Sequence, residues 1–272
     1  NFFSDYSSIG LDDTRHPSKA GMINSEMGLL FHSQSGMLAG IQSVTTAAMR
    51  QKMEGLLFCS SSDDDTDNNQ INPMHWFHKA GARGKVTQLI GNSGTLSGAR
   101  SQAPSTSIDV SVRPLKIQRP SDVTNLIGLG SRAEGFVPAN MRSRFLDALN
   151  GLSSAHIRSM SRRQMSDSIK DLVICNAEKT QSLLSSFTTN QVNPASDPLI
   201  SAAFPQLATD GTQQTGASVA KMVLDGLAAS GTITLGGYDY HSGNRTDGET
   251  KDREAGVLIG RLFGNPRKRT FS

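Results

Sequence analysis

Thr232-Ile-Thr-Leu-Gly-Gly-Tyr-Asp-Tyr-His241 joins a short β-branched, apolar run to a glycine pair, and then to a carboxylate and an imidazole. Upstream, Thr215 to Ala229 keeps helical phase: Val219, Met222, Val223 and Leu227 share one face, with Lys221 and Asp225 opposite. Ser230-Gly231 reads as the stop of that helix, and Thr232 to Leu235 as a strand. Downstream, Ala255, Leu258, Ile259 and Leu262 fall at i, i+3, i+4 and i+7, the spacing of a second amphipathic helix. Helix, strand, glycine-rich loop, helix is an α/β order.

The rest of the chain fits that class. Gly36 to Met53 has helical composition, and two short apolar runs, Gly55 to Cys59 and Val86 to Ile90, read as buried strands. Pro73 opens a helix over Met74 to Ala80 that Gly81 closes. Ser93 to Pro120 reads as loop, with a strand at Ser107 to Val112. Leu152 to Asn193 holds no Gly or Pro and predicts one long or one broken helix. The expected fold is α/β, with a mixed or mostly parallel central sheet flanked by helices. It spans 1–272 as a single, partial domain, with an irregular segment at 1–24 and a disordered basic tail at 264–272.

Bulk properties narrow the function. The 272 residues carry a net charge of +3, and no stretch approaches the roughly 20 apolar residues of a membrane helix, so no membrane span is expected. No signal peptide reads at the N-terminus. Arg158, Arg162 and Arg163 form a basic cluster on a helix, but no aromatic residues interleave with the cations as a base-stacking surface requires, which argues against nucleic acid. Cys59 and Cys175 both follow apolar runs and read as buried thiols.

In open α/β sheets ligands bind beyond the carboxyl ends of the strands, which is where Gly236 to His241 falls. Asp239 and His241, two apart on extended chain, project to one side, and a carboxylate with an imidazole suits a divalent metal such as zinc or manganese. The other reading of the pair is an aspartate that stabilises a turn and a surface histidine. Arg245, in the loop after His241, is placed to meet an anion, better than Lys221. A second polar loop, Asp63-Asp64-Asp65-Thr66-Asp67-Asn68-Asn69 with Asn72 beyond it, alternates carboxylates like a calcium loop. Position six is Asn68 instead of Gly, and position twelve is Met74 instead of Glu. It reads either as a metal or substrate loop or as a solvated acidic turn before a helix. His75 and His78 share a helical face beside Trp76 and Phe77, more in the manner of packing than of ligation.

At these residues the chain resembles a bacterial family of exported proteins of unknown function within the alkaline-phosphatase-like superfamily of phosphatases and sulfatases. The resemblance rests on Ala228-Ala-Ser-Gly-Thr-Ile-Thr-Leu-Gly-Gly-Tyr-Asp-Tyr-His241, on Asp64-Asp65-Thr66 with Asn68-Asn69 and Asn72-Pro73, on Lys79-Ala80-Gly81, and on Ser97-Gly98 with Ser101 and Pro104. It implies divalent metal (zinc, manganese or calcium) at the strand ends, hydrolysis of an anionic small-molecule or polymer ester of phosphate or sulfate, and a periplasmic or secreted location. Asp239 and His241 match the family's Asp-x-His block, and Thr66 is the nucleophile the resemblance suggests. The chain departs from the pattern in lacking an upstream strand-end Asp-Gly and a later Asp-His pair, so the fold reads as incomplete. The alternatives are a non-catalytic exported binding or assembly protein of the secretion apparatus or cell surface, and a sugar- or calcium-binding domain using the Asp63–Asp67 loop.

Overall fold

The computed structural model describes residues 16–55, 79–92, 115–127, 137–171, 173–174, 189–236 and 245–264. The chain divides into two compact units: Asn1–Asp64 with Ala202–Pro205 and Thr234–Ser272, and Asp65–Ser201 with Gln206–Ile233.

In the first unit, β1 (Ile23–Asn24) and β2 (Phe31–His32) form a small antiparallel hairpin, so the expected irregular segment gains a strand at its last two residues. The helix expected over 36–53 is two helices, α1 (Gly36–Val44) and α2 (Ala47–Arg50). The break lies at Thr45-Thr46, where Thr45 Oγ1 donates to the Ile41 carbonyl and Thr46 Oγ1 accepts from Met49 N as the N-cap of α2. Arg50 ties the turn together: Nη1 donates to the Thr45 carbonyl (2.7 Å), and Nη2 lies 2.6 Å from Glu26 Oε1. Gln42 donates to the other oxygen of Glu26. These two donors, Arg50 first, hold the Glu26 carboxyl below its ordinary pKa.

The core of this unit is Met27, Leu38, Ile41 and Met53, with Ile259 of the long C-terminal helix, here α8 (Arg245–Phe263), packed against it. α8 carries the expected face, Ala255 and Leu258 being buried. It packs on α1 through Gly36-x-x-x-Gly40 and Gly256-x-x-x-Gly260. A Cβ on Gly40 would overlap the Arg253 carbonyl oxygen, and one on Gly256 would overlap that of Met37. The two backbones therefore touch, and no larger side chain fits between them.

The second unit is built on a three-stranded parallel sheet, ordered β4 (Leu115–Lys116), β3 (Thr87–Gly91), β5 (Ala228–Thr232). Its described α-helices are α3 (Pro120–Ile127), α4 (Arg142–Ser159), α5 (Thr189–Val192), α6 (Pro198–Ala203, of which Pro198–Ser201 belong to this unit) and α7 (Gly211–Leu224). The coarse expectation of an α/β molecule, with a parallel sheet flanked by helices, is thus met. The core joins Ile90, Ile117, Val123, Val192, Val219, Met222, Leu227 and Ala228. Complete burial of side chains such as Ile90 stabilises by about 1.5–3 kcal/mol each.

Several element boundaries differ from expectation. α7 stops at Leu224 instead of running to Ala229, because Gly226 takes φ 70° and turns the chain, its N–H donating to the Val223 carbonyl. The strand consequently starts at Ala228 and ends at Thr232, where the expectation was 232–235. The helix expected from Leu152 begins ten residues earlier, since α4 passes through Gly151 and ends at Ser159.

Candidate functional site

The sheet of the second unit defines one candidate rim. Gly91 pairs in register with both Lys116 and Thr232, so the carboxyl ends of all three strands lie level. Gln118 Nε2 donates to the Asn92 carbonyl (3.0 Å), and Thr215 of α7 donates to the carbonyl of Gln118 (3.0 Å). Asp122 Oδ2 accepts from the backbone N–H groups of Gln118 (2.8 Å) and Arg119 (3.0 Å) and turns the chain from β4 into α3 within three residues. This carboxylate already supplies the negative charge that an anion would bring to the start of α3.

Beyond β5, Ile233 packs on the core of the second unit and Gly236 is exposed. The predicted metal residues Asp239 and His241 follow in sequence and lie outside the described residues, as do Asp63, Asp64, Asp65, Thr66, Asp67, Asn68, Asn69 and Asn72. His75, His78, Cys59 and Cys175 lie outside them as well. Arg245 is the first residue of α8 and not part of the preceding loop. Among the described residues, no three His, Cys, Asp or Glu side chains gather where they could hold a metal ion.

Lys221, expected on an outer helix face and a secondary candidate for an anion, is corrected. It is buried, with Nζ 2.8 Å from Asp197 Oδ2 and 2.8 Å from Asp225 Oδ2. The expected two-faced helix is buried at every position from Thr215 to Met222, so its lone interior cation must be satisfied by carboxylates of its own unit.

Two features escaped the sequence reading. Ser230, taken there as a helix stop, is a buried β5 residue whose hydroxyl has no hydrogen-bond partner among the described residues. The first unit holds a pocket of about 260 Å³, lined by Met27, Phe31, Met37, Met53, Ile259 and Phe263 among others, with Glu54 the charged residue beside it. Its walls come from stretches more than 200 residues apart, so no local motif marks it. Unbranched thioether side chains adapt to varied apolar shapes, and a pocket of this kind can take an apolar group.

No family model, curated protein or solved structure matches the chain.

Proposed function

We propose that the chain is a metal-dependent hydrolase-fold protein acting on phosphate or sulfate esters, with its site beyond the carboxyl end of β5. The observation that supports this reading is the direction of β5. It runs parallel to β3 and ends level with it at Thr232, and the stretch holding Asp239 and His241 continues from that end. A carboxylate oxygen and an imidazole nitrogen are donors that zinc or manganese accepts. Such an ion, once bound, would polarise the ester and favour ionisation of a nearby hydroxyl. In this reading Thr66 is the nucleophile, Arg245 neutralises the anionic oxygens of the ester, and the Asp63–Asn72 loop adds further oxygen donors. The location proposed with it is outside the cytoplasm, periplasmic or secreted.

Metal analysis of the purified chain, with Asp239→Ala and His241→Ala alongside, tests the proposal. Bound zinc or manganese should fall in both variants, and unchanged stoichiometry in both removes the reading. Turnover of nitrophenyl phosphate and sulfate should then depend on metal and be lost in Thr66→Ala.

A second reading, a non-catalytic exported binding or assembly protein, is favoured by the methionine-lined pocket of the first unit. Saturable uptake of an apolar fluorophore, abolished by Met37→Trp, together with no ester turnover, would select it.

A further inference from the structure

The pocket of the first unit has a one-sided chemistry. Met27, from the β1–β2 turn, and Met53, after α2, are buried in its depth. Glu54 and Phe263, the last residue of α8, are exposed at its mouth. Phe31 of β2 and Met37 of α1 join them, and the remaining lining is aliphatic or glycine. No lining side chain carries a hydrogen-bond donor. Glu54 is the one charged group, and no lysine or arginine lines the pocket to neutralise it.

These groups select by charge. An anion would find no donating side chain and would face the Glu54 carboxylate. A neutral polar molecule would lose its hydrogen bonds to water and leave its acceptors unpaired. A primary ammonium brings three N–H donors, for which Glu54 is the only side-chain acceptor. A cation whose nitrogen is fully alkylated needs no acceptor at all. Aromatic rings attract such a charge over their faces, thioether sulfurs are polarisable, and the carboxylate supplies the counter-charge. The volume of about 260 Å³ lies just below the roughly 300–1,000 Å³ of sites for drug-sized ligands, so the occupant is small.

We propose that this pocket binds a small organic cation of the quaternary-ammonium class, its apolar substituent against Met27 and Met53 and its charge toward Glu54. The proposal rests on the second reading above, in which the pocket takes an apolar ligand, and adds the sign of that ligand's charge.

The test is displacement of the neutral fluorophore N-phenyl-1-naphthylamine from the 272-residue chain by three molecules of similar size: phenyltrimethylammonium, its uncharged isostere tert-butylbenzene, and benzoate. The cation should displace it at about tenfold lower concentration than tert-butylbenzene, and benzoate should be the weakest. Glu54→Gln, at an exposed position, should weaken the cation by about fivefold and leave tert-butylbenzene unchanged. Phe263→Leu, which keeps the wall apolar but removes a ring, should act in the same direction. Met37→Trp should abolish binding of all three and so place it in this pocket. Equal displacement by the cation and its isostere overturns the inference while sparing the second reading, as does displacement by benzoate as strong as by the cation. Cation binding untouched by both Glu54→Gln and Met37→Trp also overturns it, and failure of the fluorophore to bind overturns both.

Discussion

Lys221 Nζ and Asp197 Oδ2 lie 2.8 Å apart with both side chains buried, joining α7 to the residue that caps α6. Asp197 uses its other oxygen to accept from the N–H groups of Leu199 and Ile200, while Lys221 also reaches Asp225 on its own helix. Removing one partner strands a buried charge, and cases of that kind cost about 3–5 kcal/mol. Lys221→Ala should therefore lower the unfolding free energy extrapolated from urea titration by an amount in that range. Lys221→Met with Asp197→Leu should cost less than the single change, because neither of these two charges is then left facing an apolar neighbour.

The crossing of α1 and α8 makes an opposite pair of predictions for glycines. Gly40→Val or Gly256→Val drives a side chain into the backbone of the facing helix and should destabilise the first unit by about 3 kcal/mol. Gly151→Ala, in the middle of α4 with open space where the methyl would go, should stabilise by about 0.5–1 kcal/mol. Thermal melts of the three variants check both signs.

Glu26 titrates below the ordinary glutamate range because Arg50 and Gln42 hydrogen-bond to its ionised form. With the folded pKa lowered, its stabilisation is complete above the unfolded value and is lost as pH falls through the folded one. Glu26→Gln should thus be less stable than the parent at neutral pH, and the gap should narrow in acid as pH falls through the lowered folded value. Urea denaturation at the two pH values measures it.

Asp252 on α8 shifts the other way. Burial raises its pKa, and Glu249 one turn earlier adds to the rise. The folded state then holds this proton more tightly than the unfolded one, so ionising Asp252 weakens the fold as pH rises through the shifted range. Asp252→Asn should raise the unfolding free energy at neutral pH, by less than about 1 kcal/mol since the group is partly solvated, and should give no gain in acid; thermal melts at the two pH values check it.

Periodicity was legible where one face of an element meets a core. The spacing of Ala255, Leu258 and Ile259 located α8, and the run Val86 to Ile90 located β3 to within a residue. Glycines misled the reading because one residue type answers two demands. Gly231 reads as a helix stop, yet it lies within β5. A Cβ there would come 2.7 Å from Val219 Cγ1 and 3.1 Å from Ile90 Cγ1, so the strand needs glycine for close approach to α7. Gly226, which does turn the chain, was hidden inside a helical pattern that continued through Leu227. The candidate site was legible only as a local motif following a strand. The methionine pocket was not, since its lining is assembled by tertiary contact.

The glycine-to-glycine seat of α1 on α8 also has a consequence for biosynthesis. Residues 36–44 leave the ribosome two hundred residues before their partner does, and the sheet of the second unit is encoded between them. Until translation reaches residue 263, Leu38 and Ile41 have no α8 to cover them, so the nascent chain carries an apolar stripe open to chaperones or to aggregation.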